Sequence, residues 1–509
     1  MRRIISFAVV AMFAGILFAS AVFADVAAAP MFGSHMVLQQ GKKLPVWGTA
    51  SPGEAVTVTM AGRSATAVAD EHGDWKLALG KLKAGGPHTM LISGPSNTVT
   101  LEDVLVGEVW ICSGQSNMEW PLKAANNGDQ EVAEANHPQM RLFIVAKKVA
   151  PEAVETCEGQ WMVCTPENAP MFSAVGYLFG RMLHQELSVP VGLIESAWGG
   201  TPAESWTSMA TLVSTPELVP SVKSFETILQ QYPAAKVQFD EQMTAWQTEA
   251  DQAKAEGKAE PRRPQAPMGP DHPHRPASLY NGMIVPVAPY ALRGAIWYQG
   301  ESNAGRAKQY RTLFPAMISD WRELWGQGAF PFYFVQLANF MERKDTPQVD
   351  SAWAALREAQ TMTLSLKNTG MAVIIDIGDA KDIHPRNKQD VGRRLALNAL
   401  AQDYGKDVPY SGPLFRSMKV KGGEAVLSFK HTDGGLVTRD QEPLKGFMVA
   451  GPDKKFVWAE ARIDGNKVSV RSDQVAKPAA VRYAWADNPD CNLYNGAGLP
   501  ASPFRTDPE

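Results

Sequence analysis

A serine placed directly after a buried strand is the residue of this chain best suited to act as a nucleophile. Val104 to Cys112 (VLVGEVWIC) is nearly continuous apolar sequence and reads as a buried strand. Gly114-Gln115-Ser116-Asn117-Met118 follows at once, so Ser116 sits at or just past the carboxyl end of that strand. In open α/β sheets that edge is where ligands bind. The turn is not a G-x-S-x-G elbow, because position 118 is Met. A second fragment of the same style, Gly300-Glu301-Ser302-Asn303-Ala304, offers Ser302 as a competing nucleophile.

A neutral hydroxyl needs a base positioned on it. His384, in Asp382-Ile383-His384-Pro385, is the best placed of nine histidines. It follows MAVIIDIGD, a segment of parallel-strand character, and precedes a helix, which returns it to the same sheet edge as Ser116. His184 falls on an ordinary amphipathic helix, and His272 and His274 fall in a proline-rich segment. Asp382 is spaced to accept from the imidazole and fix its tautomer; Asp379 and a backbone carbonyl are the alternatives.

An attacked acyl carbonyl develops negative charge on its oxygen, and fixed donors aimed there contribute heavily to catalysis. The available donors are the Ser116 N–H, the N–H of Gly199 or Gly200 in SAWGGT, and the side-chain amide of Asn303. Trp198 offers a flat face to a sugar ring, whereas Trp110 and Trp297 lie inside strand sequence and read as core. Gln115, Gln299 and Glu301 are the polar residues set to orient sugar hydroxyls or to buttress the loops, with Glu119 and Glu204 beside them. No zinc-type Cys/His spacing, P-loop or dinucleotide fingerprint occurs, so the sequence calls for no metal and no cofactor.

These residues need a scaffold. Strand sequence at 104–112, 141–146, 191–196, 295–299, 332–337 and 372–377 alternates with helical spacing around Leu178, Phe314, Leu356 and 387–401. That alternation predicts an α/β fold with a mostly parallel sheet covered by helices on both faces. Residues 25–103 alternate as short strands, with Val56, Val58 and Met60 on one face and Trp75, Leu77 and Leu79 on another, which predicts an amino-terminal β-sandwich. The segment 104–409 is then the catalytic domain, and 410–509 a carboxyl-terminal β-rich domain. Within the catalytic domain, 207–278 breaks the rhythm. It reads as an insertion made of an exposed helix over Phe239 to Glu260 and a return with proline at every third residue from 261 to 276.

A chain of 509 residues with 45% hydrophobic and 20% charged residues is an ordinary globular protein with more than one core. Met1-Arg2-Arg3, the apolar run Ile4–Ala21 and Val22-Phe23-Ala24 have the layout of a secretory signal peptide, 1–24, which implies a secreted or periplasmic protein without a stable membrane anchor after cleavage. Its removal would lower the formal net charge from −4 to −6, which leaves no basic footprint for nucleic acid. Cys157 and Cys164 are close enough in sequence to close a small disulfide loop, Cys112 reads as a buried thiol, and Cys491 has no obvious partner.

GEVWICSGQSNMEWPL, SAWGGTPAESW, RGAIWYQGESNA and DIHPRNKQDVGRRLAL, in that order, resemble the sequence blocks of the sialate O-acetylesterase family, a branch of the SGNH hydrolases. The resemblance runs from about Pro30 to the carboxyl end. It implies an SGNH, flavodoxin-like sheet, a nucleophile in the first loop (Ser116), an oxyanion-hole glycine in the Gly199–Gly200 pair with Gly200 favoured, and an oxyanion-hole asparagine in the second loop (Asn303). The common pattern puts an aspartate three residues before the histidine, where this chain has Lys381. The resemblance implies an esterase removing O-acetyl groups from carbohydrate. Acetylated sialic acid is the implied substrate, with acetylxylan or another glycan as the alternative. A lipase or thioesterase and a non-catalytic glycan-binding protein are the more distant readings.

Overall fold

Six parallel strands carry the chemistry-bearing loops. In the computed structural model, which describes residues 25–507, they lie side by side in the order His137–Ile144, Val191–Ala197, Thr98–Gly114, Gly294–Tyr298, Phe332–Gln336 and Thr369–Val373. Residues 1–24, read above as a signal peptide, lie outside the described residues. Trp161–Cys164 adds an antiparallel edge strand. The four strands from Val191–Ala197 to Phe332–Gln336 are buried over nearly their whole length within this sheet, as near-continuous apolar sequence demands of strands covered on both faces.

Strand register shows how the two faces are covered. Gly294 pairs with Trp110, so Trp110 and Trp297 point to opposite faces of the sheet. Trp110 meets Phe179 of the helix Ala174–Leu187 edge-on, with ring centroids 5.0 Å apart. Trp297 meets Phe314 and Trp321 of the helix Ala307–Trp325. Helices Ala174–Leu187 and Lys388–Gln402 pack together, as do Ala307–Trp325 and Ala352–Met362. Both tryptophans are fully buried, as their place in strand sequence predicts. Thr369–Val373 ends earlier than the run predicted to 377, because the backbone breaks into a turn that leads toward His384.

The amino-terminal strands pack as expected, with Val56, Val58, Met60, Trp75, Leu77 and Leu79 all buried. The boundary predicted between 103 and 104, however, falls inside one strand. Thr98–Gly114 is 17 residues long; its first half pairs with Gly85–Ser93 of the amino-terminal module and its second half with the parallel strands. The two regions therefore share a sheet and one continuous apolar core. The strand that presents Ser116 is thus anchored at both ends.

Within the insertion, the helix runs over Val219–Ala255 rather than starting at Phe239, and it passes through Pro233. Val222 and Phe225 are buried near its start. The proline-rich return forms neither helix nor strand over residues 258–269. It runs back along the helix: Trp246 Nε1 donates to the Pro261 carbonyl at 2.9 Å, and Gly269 lies against the Tyr232 ring.

The carboxyl-terminal module is β-rich, with two four-stranded sheets. Fully buried Arg357 staples it to the parallel sheet by donating to the carbonyls of Leu337, Ala338, Ala486 and Asp487 at 2.6–2.9 Å. The predicted Cys157–Cys164 bridge is absent and both thiols are free. Cys157 Sγ faces Met31 Sδ at 3.5 Å, while Cys164 Sγ faces the Ala135 carbonyl at 3.7 Å, so the two point to different neighbours. Burial pushes these thiols up to about 11 and about 12, which suits inert core groups. Cys112 is likewise a buried free thiol.

Candidate active site

Ser116 opens a one-turn helix, Ser116–Glu119, at the end of the long strand. The preceding glycine makes this possible. Gly114 has φ +140°, and a Cβ there would lie 2.2 Å from the Tyr298 carbonyl oxygen on the neighbouring strand. The helix bonds its Met118 and Glu119 N–H groups to the Gln115 carbonyl, leaving the Ser116 N–H unused by the helix.

His384 arrives from a position 268 residues away, and its Nε2 lies 2.8 Å from Ser116 Oγ. Asp382 Oδ1 lies 3.3 Å from His384 Nδ1 and also accepts the His384 backbone N–H at 2.9 Å. With its proton on Nδ1, His384 donates to Asp382 and accepts from Ser116. Asp379 is turned to another task, accepting the backbone N–H of Lys381 at 2.7 Å and of Asp382 at 3.3 Å. Trp120 stacks on the His384 ring, centroids 5.1 Å apart and planes 21° from parallel. Ser302 Oγ, by contrast, donates to the Gly200 carbonyl at 2.8 Å.

The glycine pair separates cleanly. Gly199 N–H donates to Glu119 Oε2 at 2.7 Å, and Glu119 is in turn paired with Lys147. The adjoining Gly200 is exposed, has φ +76° and has open space where a Cβ would be. Asn303 is buried and rigidly held. Its Oδ1 accepts from Ala203 N at 2.9 Å and from Gln299 Nε2 at 2.6 Å, while its Nδ2 donates one hydrogen to Glu204 Oε2 at 2.9 Å. Its second amide hydrogen has no acceptor among the described residues. Glu204 also pairs with Arg306 at 2.5 Å.

Three of the four residues considered for sugar contact turn out to be supports. Gln115 is buried, and its Oε1 receives the N–H groups of Gly300 and Ser302 at 3.5 and 3.3 Å, which ties the two loops together. Gln299 is fully buried between Asn303 and the Tyr310 hydroxyl. Glu301 accepts from Asn117 Nδ2 at 2.6 Å, and burial raises its carboxyl above the usual range. Polar side chains next to a reactive loop satisfy the loop's own buried backbone first. Trp198 stays partly exposed, with Lys147 Nζ 5.3 Å from its ring centroid.

The sequence reading passed over several contributors. Lys388 sits on the buried face of the last helix with Val391 and Leu395, at helical spacing that could have singled it out. Asn117 follows the nucleophile without any local signal. His274, in the proline-rich return, lies within electrostatic reach of Gly200 and Glu204, and burial lowers its basicity. The return thus ends at the site, where Ala277 N–H donates to the Glu204 carbonyl at 2.9 Å.

This arrangement, a hydroxyl bonded to an oriented imidazole, is equipped for acyl transfer. The sequence pattern of the family described as "Carbohydrate esterase, sialic acid-specific acetylesterase" matches residues 106–260 and 272–401, which contain all of these loops. The chain is 31% identical to the mouse sialate O-acetylesterase over 92% of each chain. It is 30% identical to the human sialate O-acetylesterase, covering 94% of this chain and 91% of that one. Among solved structures it superposes on a carbohydrate acetylesterase of Xanthomonas citri with TM-score 0.80 and 40% identity, over 95% of this chain and 99% of that one. The chain therefore belongs to the sialic acid-specific acetylesterase family of carbohydrate esterases.

Proposed function

We propose that this protein is an SGNH-type serine esterase that removes O-acetyl groups from carbohydrate, with O-acetylated sialic acid as the substrate. The observation that carries this reading is the 2.8 Å contact between Ser116 Oγ and His384 Nε2 at the carboxyl edge of a parallel sheet. Ser116 Oγ attacks the acetyl carbonyl while His384 Nε2 takes its proton. Asp382 stabilises the imidazolium formed. The Ser116 and Gly200 N–H groups and the free amide hydrogen of Asn303 receive the developing oxyanion. His384 then returns the proton to the departing sugar oxygen, and water releases acetate from Ser116 by the same path in reverse.

Removing one oxyanion donor typically costs about 100- to 1,000-fold in turnover, and Asn303→Ala is expected to lower kcat by that amount with little change in KM. A raised KM alone would make Asn303 a ground-state sugar contact instead. The reading as a whole is tested by acetate release from O-acetylated sialic acids and acetylated xylo-oligosaccharides. Faster release from the sialic acids is expected. Preference for the xylan fragments would move the substrate to neutral glycans, and no release from either would overturn the esterase reading.

A further inference from the structure

A buried cation lies behind the active site that the acyl-transfer steps do not use. Lys388 is fully buried, and its Nζ donates to Asn117 Oδ1 at 2.6 Å. The other end of the Asn117 amide donates to Glu301 Oε1 at 2.6 Å and to the Ile383 carbonyl at 3.1 Å. One side chain, next in sequence to Ser116, thereby ties the nucleophile turn to the second loop and to the residue before His384. Lys388 Nζ also lies over the rings of Trp120 and Tyr298, 5.5 and 5.3 Å from their centroids, and Trp120 is the ring stacked on His384.

Stability alone does not explain a lysine here. Burying an ammonium is costly unless it is paired, and Lys388 forms no direct ion pair among the described residues; Asn117 stands between it and Glu301. Glu301 Oε2 has no hydrogen-bond partner among the described residues. An apolar side chain at 388 would avoid the desolvation cost. It would also leave Asn117 Oδ1 without a donor, so that the amide could turn and release Ile383.

We propose that Lys388 is a positioning residue for the esterase reaction: through Asn117 it locks the His384 loop onto the Ser116 turn, and its charge behind Trp120 favours the neutral, proton-accepting form of the imidazole. The inference rests on Ser116 and His384 being the reacting pair. Charged groups around the imidazole are Asp382, 3.3 Å away on its own loop, Lys388 and Glu301 behind Trp120 and Asn117, exposed Arg386 on the following turn, and the mutually paired Glu119 and Lys147 beyond Ser116. Burial holds Lys388 down to about 7, so it carries its charge on the acid side of neutrality.

The test compares kcat, KM and the pH profile of kcat/KM for the wild type, Lys388→Met and Lys388→Gln on one acetyl ester. Lys388→Met is expected to lower kcat about 10- to 100-fold, the scale of a small misplacement of reacting groups, with KM little changed. Its acid limb should move to higher pH by about half a unit, because a nearby cation no longer opposes the imidazolium. Lys388→Gln, which keeps a donor without the charge, should show the same shift with a smaller loss of kcat. An unmoved acid limb in a folded variant, or a loss that appears only in KM, would overturn the proposal. Should Lys388→Met fail to fold, the limb of Lys388→Gln decides alone. A wild type without esterase activity would be a failure of the proposed function, distinguishable from a wild type and variants that are equally active.

Discussion

Ser116→Ala is expected to abolish acetate release, with a loss on the order of a million-fold in kcat, the scale found when the nucleophile of a serine-hydrolase triad is removed. The change leaves the fold intact. Ser116 Oγ bonds only to His384 Nε2 among the described residues, and the turn is held by Gln115, Asn117 and Gly114 rather than by the hydroxyl. No neighbouring hydroxyl can replace it, because Ser302 Oγ is committed to the Gly200 carbonyl. A serine-directed phosphonate should label Ser116 in the wild type and nothing in the variant. Label found on Ser302 would exchange the roles of the two loops.

His384→Ala should lose activity on a similar scale, about a million-fold, and the double variant Ser116→Ala/His384→Ala should be no slower than either single one, since residues acting as one unit are not additive. Asp382→Asn is expected to be milder. Asparagine keeps an oxygen that can accept from both the backbone N–H and Nδ1 of His384, and Trp120 still holds the ring. The Asp382 side chain is 43% exposed, so its charge acts through water as well as directly. A loss of roughly 10- to 100-fold should result, well short of the ~10,000-fold typical of a buried triad aspartate. Rates for Asp382→Asn equal to those of His384→Ala, with folding intact, would show that the carboxylate charge is indispensable. Wild-type rates would leave the imidazole to Trp120 and the backbone.

Much of the catalytic frame was legible because it rests on local rules. Apolar runs without alternation mark strands covered on both faces, and each of the six parallel strands overlaps the run that predicts it, with ends displaced by up to six residues. The glycine before Ser116 is required by a close approach of the Tyr298 carbonyl, so its presence marks a sharp turn even before the neighbour is known. The exposed helix of the insertion was read too short because Val222 and Phe225 find their burial only in the folded chain. The boundary placed at 103/104 failed for a similar reason: a change of sequence rhythm marks where a strand gains a covering helix, not where the strand ends.

The sequence by itself determined the α/β order and the edge at which the loops gather, since strand period and turn chemistry are properties of short segments, while the preference for Ser116 over Ser302 came from the order of the family's blocks. Tertiary structure alone decided which polar side chains face substrate and which face the protein. Gln115, Glu301 and Asn117 read alike along the chain, yet their partners lie 184 to 187 residues away, and only packing fixes whether a carboxylate or amide is buried against a loop or left open to a sugar. Packing likewise separated Gly200 from Gly199 by occupying one N–H with Glu119, and it set Lys388 behind the imidazole. Hydrogen-bond satisfaction in a low-dielectric interior depends on every neighbour at once, which no local spacing records.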